Sequence, residues 1–387
     1  MYDTSLLVFQ SEIPEQVYKA TQHPFINLGK ALWKFFDDLK KGIVSYPQFK
    51  KKKDNEGSFY IGGDQVSLSD TNRNYKAFKK MTHNEKQKRQ YLKIPNLGWV
   101  KMSERLRFIG KVNGVVLSQQ GDKYFASFSV QVTEDEYKRT HPNPCSDKAN
   151  RKAGIDLGIK SALILSDGIA VESPKPLKKN LRKIKRISRQ LDKRTHARTK
   201  QERLAGKKKS NNYRKLSVKL SNAQRKVANI RCDFTQKVTT IQATHYTHIA
   251  LEDLNVNGMV RNHRLAQSVS DVALGELCRQ IEYKSALNGT KLTKADRFYP
   301  SSKTCSLCGH VKQDLRLSDR TYHCSKCGAV IDRDYNASLN LLSLITEKQI
   351  GADYPESTPE DLKALLYRFA RKGIATSKVE TGRQRKL

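Results

Sequence analysis

The sequence has 387 residues, and its 73 Lys and Arg residues against 38 Asp and Glu residues give a formal net charge of +35. An excess this large favours a polyanionic partner such as nucleic acid, because each phosphate that a cation neutralises releases counterions. No run approaches the ~20 apolar residues that span a bilayer, and the start, MYDTSLLVFQSEIPEQ, lacks the basic and apolar parts of a signal peptide. These features exclude a membrane-spanning protein and predict a nucleic-acid-binding one.

The first predicted element is a helix within residues 12–53 that ends near Gly42 and runs into a basic loop. Its apolar residues recur at helical spacing, which favours a face packed in a core over a ligand site: Leu28, Leu32, Phe35 and Leu39. The loop is the run Tyr46-Pro47-Gln48-Phe49-Lys50-Lys51-Lys52-Lys53.

Residues 59–132 carry the signals of β-strands. The dipeptide Asn113-Gly114 stands between two apolar runs, 108–112 and 115–117, and is typical of a two-residue hairpin turn. Between Tyr124 and Val132, one parity is mainly apolar and the other mainly polar, which predicts a small barrel or a twisted sheet. The segment from His141 to Arg151 contains two prolines and is the predicted linker.

A second domain opens at Ala153 with three apolar strands, the last two turned by Asp167-Gly168. The region from Lys175 to Lys226 then holds 21 Lys or Arg residues and only two acids. Two stripes at helical spacing predict a helical hairpin with an apolar seam: Leu177, Leu181, Ile184, Ile187 and Leu191, then Leu216, Leu220, Ala223, Val227, Ile230 and Phe234. A dense charge run is often a solvated face, but in so basic a chain it favours a phosphate-binding surface.

After the hairpin, residues 248–251 form a predicted buried strand that runs into Glu252. A helix is predicted over 270–286, a strand over 291–299, and a final helix beginning at Asn336. Beyond Glu347 the chain is polar and mixed in charge, with room for a short helix near 359–369.

Four cysteines form two C-x-x-C pairs fifteen residues apart: Cys305, Cys308, Cys324 and Cys327. Two such turns present four thiolates to one tetrahedral zinc ion, and four thiolates leave no open position for water, so the predicted zinc is structural. Disulfides or unliganded thiols fit paired knuckles poorly. The remaining cysteines, Cys145, Cys232 and Cys278, show no such pattern, which suits a reducing cytosol.

Three acids lie at the ends of predicted elements: Asp156 in a strand, Glu252 at the end of another, and Asp334 at the start of a helix. Acids at strand ends converge at one edge of a sheet, and such carboxylates suit Mg²⁺, which prefers hard oxygen ligands. Two divalent ions held there can activate water and stabilise the leaving oxygen of a phosphodiester. Spacing alone fits surface acids or helix caps equally well.

The ordered motifs resemble those of the TnpB family, transposon-encoded RNA-guided nucleases related to the compact type V CRISPR effectors. The resemblance extends from Tyr46 to about Leu344. The motifs that carry it are Gly154-Ile155-Asp156-Leu157-Gly158, Leu251-Glu252-Asp253-Leu254, and the cysteine pairs followed by Asp332-Arg333-Asp334-Tyr335-Asn336-Ala337. Tyr46-Pro47-Gln48-Phe49-Lys50 and Ile94-Pro95-Asn96-Leu97-Gly98 resemble N-terminal signatures of the family.

The resemblance implies a RuvC-like nuclease that uses Asp156, Glu252 and Asp334 as catalytic magnesium ligands, with Asp332 the weaker choice for the third acid. It also implies a guide RNA and a target DNA as partners, a structural zinc ion, and a cytoplasmic, nucleoid-associated prokaryotic protein of a mobile element. The residues expected to contact nucleic acid are Lys50, Lys51, Lys52, Lys183, Arg186, Arg189, Arg214, Lys215, Arg225 and Arg333, the last beside the scissile phosphate.

The expected fold class is α/β plus β. A partial helical recognition lobe (1–58) and a wedge-like β-barrel (59–150) precede an RNase H-like RuvC domain (151–344). That domain contains a basic helical insertion (175–238) and a zinc ribbon (300–330), and a polar C-terminal tail (345–387) follows it. The family usually carries more sequence before the Tyr46 element, so the front is expected to be shortened.

Two other functions stay open at this point. A catalytically silent RNA- or DNA-binding regulator fits the basic charge, although it has no need of three acids that repel phosphate. An accessory transposase that joins DNA ends would use the same acids, and no sequence feature separates strand transfer from hydrolysis. The oligomeric state is not indicated by the sequence.

Overall fold

The computed structural model describes residues 15–47, 57–69, 90–95, 97–108, 110–140, 151–195, 210–316, 318–346 and 359–379. The chain divides into two units, Met1–Pro142 and Asn143–Leu387. The predicted linker lies almost wholly outside the described residues, so its conformation stays a prediction. The loop lysines Lys50, Lys51 and Lys52 and the thiol of Cys145 also fall outside them.

The N-terminal unit begins with helix α1, Glu15–Lys40. The prediction that its apolar stripe forms a core is wrong. Leu28, Leu32 and Leu39 keep 48%, 41% and 47% of their surface exposed, and the half-buried Phe35 stacks on Tyr46 with ring centroids 5.0 Å apart. Helical spacing identifies an amphipathic helix, but burial also needs a neighbouring element, and no described element of this unit covers these residues.

Six strands and two short helices follow in this unit. One antiparallel sheet has the order β1-β5-β6, with β1 Ser58–Gly62, β5 Lys111–Gln120 and β6 Lys123–Gln131. The other has the order β2-β3-β4, with β2 Ser67–Ser69, β3 Tyr91–Ile94 and β4 Gly98–Lys101. A 3₁₀ turn spans Gly63–Gln65, and helix α2 spans Glu134–Thr140.

The two sheets share one small core. Ile61 of β1, Leu92 and Ile94 of β3, and Val115 of β5 are buried together. The predicted alternation in β6 is confirmed in its middle, where Ala126, Phe128 and Val130 are half-buried and their neighbours exposed. The described strands form two three-stranded sheets, so closure into a barrel stays a prediction.

The predicted hairpin turn at Asn113-Gly114 is wrong. Strand β5 continues through these residues, with a register shift between Val112 and Gly114, and the turn comes later at Gly121, whose φ is 65°. A β-bulge accommodates one extra residue without ending the strand, and Asn-Gly is as compatible with a bulge as with a turn. The hydroxyl of Tyr60 donates to the carbonyl of Asn113 and lies where a Cβ on Gly114 would sit.

The C-terminal unit is built on a six-stranded sheet of order β11-β10-β7-β8-β9-β14. Its strands are β7 Lys152–Leu157, β8 Ser161–Leu165, β9 Ile169–Glu172, β10 His248–Glu252, β11 Lys291–Ala295 and β14 Thr376–Lys378. The strands β7, β10 and β11 are parallel to one another, and β8, β9 and β14 join by antiparallel pairing. This confirms the predicted strands over 153–171 and 248–251, whereas the strand predicted over 291–299 ends four residues early.

Helices cover both faces of this sheet. Helices α3 Pro176–Thr195, α4 Asn211–His245, α5 Val256–Arg261, α6 Ala266–Val272 and α7 Leu274–Leu287 follow β9 and β10. Helix α8, Arg333–Ser343, comes after the ribbon strands β12 Thr321–His323 and β13 Val330–Asp332, and α9 is Pro359–Arg371. The helix predicted over 270–286 is broken at Ala273, which has a left-handed φ of 61°.

The two faces of the sheet bury different clusters because successive side chains of a strand alternate sides. The first face packs Ile155, Leu251, Val238, Leu277 and Phe369 against α4, α6, α7 and α9. The second face packs Ala250, Leu341, Leu342, Tyr322 and Cys305 against α8 and the ribbon. Two of the predicted acids, Asp156 and Glu252, lie on strands that separate these two cores, and Asp334 lies on α8.

The C-terminal residues are more than the predicted polar tail. Leu365, Phe369 and Ile374 are buried in the first cluster, and β14 pairs with β9 at the edge of the sheet. The short helix predicted near 359–369 is present as α9. Strand β14 was not predicted, because three polar residues, Thr376 to Lys378, give no periodic signal.

Candidate active site and metal centre

Strand alternation and register bring Asp156 and Glu252 together. Ala250 of β10 lies opposite Gly154 of β7, and the strands run parallel, so the residues two positions further on lie at the same level. Ala250 belongs to the cluster under α8. Because side chains repeat sides every second residue, Glu252 shares this face, as Asp156 does with Gly154. Both carboxylates therefore lie at the carboxyl edge of the sheet beside α8.

Gly154 allows α8 to pack directly on the strand that carries Asp156. A Cβ at this position would lie 2.0 Å from the carbonyl oxygen of Ser338 and 2.4 Å from the backbone nitrogen of Leu342. Only glycine permits this approach of helix backbone to strand backbone. Helix α8 therefore lies directly against β7, and Asp334 is in the first turn of this helix.

The electrostatics of Asp156 show that the three acids, Asp156, Glu252 and Asp334, form one cluster. Burial is the largest cause that raises the pKa of Asp156, and repulsion from Asp334 and then Glu252 adds to it, bringing the pKa to about 8. Burial also raises the pKa of Glu252. We call these three residues the acid cluster.

Asp332 has a different task from Asp334. One oxygen of its carboxylate accepts the backbone N–H groups of Asp334 and Tyr335, at 3.0 Å each, and so caps α8. The carboxylate of Asp334 takes no part in this cap and lies 3.4 Å from Arg333 and 3.8 Å from Arg320. This arrangement favours Asp334 as the third acid, as the sequence predicted, although Asp332 still adds to the negative field on Asp156.

Arg333 turns towards the ribbon. Its guanidinium lies 3.3 Å from the carbonyl oxygen of Asp319, 3.4 Å from that of Arg316, and 3.4 Å from the carboxylate of Asp334. Its positive charge lowers the pKa of Asp156. The arginine therefore joins the ribbon loop to the acid cluster, and a contact with the scissile phosphate stays a prediction.

The donor set of the acid cluster fits divalent magnesium. It consists of carboxylate oxygens, which Mg²⁺ prefers, and bound cations would offset the mutual repulsion that raises the pKa of Asp156. Among the described residues, the four cysteines alone bring three or more metal-ligand atoms within 4.8 Å of one another. The carboxylates of the acid cluster are therefore further apart than the sulfurs of the cysteine site.

The four predicted cysteines form a compact site. The sulfur of Cys305 lies 3.7 Å from that of Cys327, and the sulfur of Cys308 lies 3.5 Å from that of Cys324. A tetrahedral ion with Zn–S bonds of about 2.3 Å places its sulfurs roughly 3.8 Å apart. The spacing therefore fits a bound zinc ion and is far too long for a disulfide.

The two knuckles of this site repeat one backbone design. In the first, the N–H of Gly309 donates to the carbonyl of Cys305, and in the second the N–H of Gly328 donates to the carbonyl of Cys324. Both glycines have a φ of 71°, the left-handed region that favours glycine. The glycine after each C-x-x-C pair thus closes a turn that aims both sulfurs at one point.

Two asparagines on α8 hold the ribbon against the acid cluster, and the sequence reasoning missed their role. Asn336 donates to the carbonyl of Thr304 at 2.6 Å and accepts the backbone N–H of Ser306 at 2.9 Å. Asn340 donates to the carbonyls of Ser301 and Thr304 at 2.6 Å each. These buried amides fix the first knuckle to the helix that begins with Asp334. The sequence feature that could have indicated this role is Asn336, two residues after Asp334.

The predicted helical hairpin is present, and most of its predicted contact residues face outward. The apolar stripes of α3 and α4 are buried or half-buried, as predicted. The side chains of Lys183, Arg186 and Arg189 on α3, and of Arg214 and Lys215 on α4, are exposed, whereas Arg225 is half-buried. Contact with nucleic acid stays a prediction for all of them.

A buried carboxylate fastens this hairpin to the sheet. Asp271 accepts the backbone N–H groups of Leu177 and Lys178, at 2.8 and 2.9 Å, in the first turn of α3. It also pairs with the guanidinium of Arg231 on α4 at 3.1 Å. One side chain of α6 thus caps one hairpin helix and binds the other.

Two regions of this chain match family models. Residues 127–263 match a family model described as "Probable transposase", and residues 275–341 match the Cas12f1-like TNB domain. Together the two matches span more than half of the chain. The first covers β7 to β10 with the basic hairpin, and the second covers the ribbon and most of α8.

Curated relatives share part of their length with this chain. Proteins of Streptomyces pristinaespiralis and Escherichia coli, named "Putative RNA-guided DNA endonuclease", are 34% identical over 52% of this chain and 27% identical over 81% of it. A TnpB-like protein of Acanthamoeba polyphaga mimivirus is 26% identical over 53%. The chain spans 46%, 72% and 39% of these relatives, respectively.

Among solved structures, a CRISPR-Cas12f ternary complex matches 82% of this chain and 68% of its own, at 19% identity and a TM-score of 0.36. A likeness this low carries no argument about the site. No helix in the described part of the chain is long and apolar enough to cross a membrane.

Proposed function

We propose that this chain, which belongs to the TnpB family, is an RNA-guided, magnesium-dependent DNA endonuclease whose catalytic residues are Asp156, Glu252 and Asp334. The single observation that carries the proposal is the acid cluster, in which two other carboxylates help to raise the pKa of Asp156 to about 8. A cluster of this kind is costly unless cations occupy it. The family and the large positive net charge both indicate that the substrate is nucleic acid.

The strand order supports assignment of the C-terminal unit to the RNase H-like (RuvC) class. Three antiparallel strands, β7, β8 and β9, are followed by β10 and β11, which add in parallel on the other side of β7. Asp156 is on the central strand of this set and Glu252 on its neighbour. Magnesium ions bound by these acids would supply activation of water and stabilisation of the leaving oxygen.

The protein's own groups would prepare the site for this chemistry. Gly154 lets α8 pack against β7 near Ser338 and Leu342, and Asp332, not Asp334, caps the helix. The asparagines on α8 tie that helix to the zinc ribbon, so the ribbon braces the acid cluster from outside. We infer that zinc is structural, because its four thiolate ligands complete a tetrahedron.

The guide RNA and the target DNA would be held through backbone contacts. The exposed cations of α3 and α4 form a dense positive surface beside the sheet, and base pairing would supply the sequence specificity. Asp271 on α6 holds both helices of this surface, by capping α3 and by pairing with Arg231 on α4.

The test is cleavage of a target matched to the RNA that copurifies with the protein. Wild-type protein should cut it in Mg²⁺, and Asp156→Asn should not. The matched control is Asp253→Asn, because Asp253 is next to Glu252 in sequence but pairs with Arg297 at 2.7 Å at an exposed position. The control should cut at the wild-type rate.

Three outcomes would contradict the proposal. If the Asp156→Asn variant still cut the target, the acid cluster would not be the catalytic site. RNA copurification and target binding by the wild type, with no cleavage in any divalent metal, would show a binding regulator instead. Joined rather than hydrolysed ends would show strand transfer.

A further inference from the structure

A cleft of about 670 Å³ opens beside the acid cluster, between the edge of the sheet and the zinc ribbon. Asp334 lies at one side of it, and the ribbon contributes Thr321 and Val330. Three lysines also line it: Lys160 from the turn after β7, Lys175 from the segment before α3, and Lys378 from β14. We call this space the lysine cleft.

The three lysines are held in place by the backbone. Lys175 has a left-handed φ of 45°, a strained conformation for a side-chain-bearing residue, and its ammonium donates to the carbonyl of Lys160 at 3.1 Å. Lys378 pairs with Ile169 in the β14–β9 register. None of the three lysines takes part in an ion pair among the described residues.

Two of the three acids that line the lysine cleft are engaged elsewhere or belong to the proposed active site. Asp332 caps α8, and Asp334 lies 3.4 Å from Arg333. Glu172 is the remaining acid of the lining and is exposed. The three lysines lie beside the proposed magnesium ligands. They suit a polyanion that extends from the acid cluster into the lysine cleft. The volume is that of a small-ligand pocket, a size that suits a short stretch of a single strand.

Strand β14, which contributes Lys378 to the lysine cleft, lies outside both regions that match family models. Both matched regions end by residue 341, and β14 begins at Thr376. The segment is nevertheless anchored, because Phe369 and Ile374 are buried in the core and the N–H of Glu172 donates to the carbonyl of Ala375 at 3.0 Å. Lys378 is therefore presented from a fixed strand.

We propose that the lysine cleft binds phosphate groups of the single-stranded nucleic acid that runs through the acid cluster, and that the C-terminal strand β14 supplies one of its phosphate contacts through Lys378. This inference rests on the proposed function for the identity of the bound nucleic acid. The phosphate contact itself can be tested by binding alone, without cleavage.

The experiment measures how binding of a short fluorescein-labelled oligothymidylate depends on salt. Full-length protein, with the RNA that accompanies it, is titrated by anisotropy in magnesium-free buffer with Ca²⁺, from about 50 to 200 mM KCl. Each single-strand phosphate contact contributes about 0.7 to the slope of log K against log salt. We expect Lys378→Gln and Lys160→Gln each to reduce the slope by about 0.7, and the double variant by about twice that.

The matched control is Lys372→Gln. Lys372 is an exposed lysine of the same C-terminal segment, but it lies near Lys284, on the other side of the sheet from the cleft. It should keep the wild-type slope. Thermal melting of all variants should equal that of the wild type, since each altered side chain is exposed.

Two results would overturn the inference: Lys378→Gln with the slope of Lys372→Gln, or a wild-type protein that does not bind the oligonucleotide at the lowest salt. The failure of the proposed function looks different. A protein that shows the expected slopes but never cuts DNA in Mg²⁺ contradicts the nuclease and leaves the lysine cleft intact.

Discussion

The two faces of the large sheet are held together in different ways. The first face relies on apolar volume, with Ile155, Leu251 and Leu277 among its fully buried or nearly fully buried side chains. The face that carries the acid cluster also has an apolar cluster, and adds to it a glycine contact, two buried asparagines and a four-cysteine site. A packed apolar face tolerates small changes, whereas directional contacts fix atoms in place. The second design suits a site that must hold charged groups in register.

The largest effect is expected from Gly154→Ala. The added Cβ would overlap the backbone of α8, and backbone atoms cannot move aside cheaply. We expect a loss of at least about 3 kcal/mol of unfolding free energy and no cleavage activity. Urea denaturation and the cleavage assay measure these two outcomes.

The control for that variant is Gly275→Ala on α7. The nearest heavy atom to its added Cβ would be a side-chain carbon of Val256 at 3.5 Å, an ordinary contact, and alanine favours the helix by up to about 1 kcal/mol. Equal stability of the two alanine variants would show that the close approach of α8 to β7 does not constrain the site.

Asp271→Ala tests the same comparison on the first face, where a directional contact is embedded in apolar packing. The change leaves Arg231 without its carboxylate and removes the cap of α3, so we expect a loss of about 3 kcal/mol. Asp233→Ala, which removes an exposed pair with Lys237, should cost less than about 0.5 kcal/mol. Chemical denaturation of both variants should separate them, and indistinguishable curves would contradict the assigned role of Asp271.

Cys305→Ser should reduce zinc content before it changes chemistry. One thiolate fewer weakens the tetrahedral site, so we expect less than one zinc per chain and a melting temperature lower by several degrees. Metal analysis and calorimetry measure both. Cys232→Ser, at an exposed free cysteine, serves as the reference and should change neither. An inactive Cys305→Ser protein with full zinc and unchanged melting would contradict a structural role.

The smallest effect concerns Lys284 on the first face. Its ammonium is buried and donates to the carbonyl of Gln236 and the hydroxyls of Thr239 and Thr240. Burial lowers the pKa of Lys284 from 10.5 to about 8. Below pH 8 the lysine is charged in both the folded and unfolded states. Between pH 8 and 10.5 the folded state alone releases its proton, so unfolding free energy should rise with pH in this window.

The variant that isolates this effect is Lys284→Met. Relative to it, the wild type should gain about 2 kcal/mol between pH 8 and pH 10. Urea denaturation of both proteins at these pH values gives the difference. A constant difference across the window would contradict the assigned pKa shift.

The sequence predicted the parts of this molecule that depend on local patterns. Apolar runs marked β7 to β10, helical spacing marked α3 and α4, and paired C-x-x-C spacing marked the cysteine site. Each of these signals lies within a short stretch of chain, and each element also found a partner in the fold. The three acids were identified by resemblance, since their spacing alone fits ordinary surface positions.

The misses share one physical cause, which is dependence on distant residues. The stripe of α1 is amphipathic, but its burial depends on a partner element. Asn113-Gly114 became a bulge because β5 pairs with β1 and β6 on both sides of it. Strand β14 exists through pairing with β9, two hundred residues earlier in the chain. The roles of Asn336 and Gly154 depend on the ribbon and on α8.

The most direct test of the account is the position of bound manganese, a probe of magnesium sites, by anomalous diffraction from crystals of the full chain. The account predicts Mn²⁺ between the carboxylate oxygens of Asp156, Glu252 and Asp334, and no such signal in Asp156→Asn. Manganese bound elsewhere, with these three side chains unliganded, would contradict it.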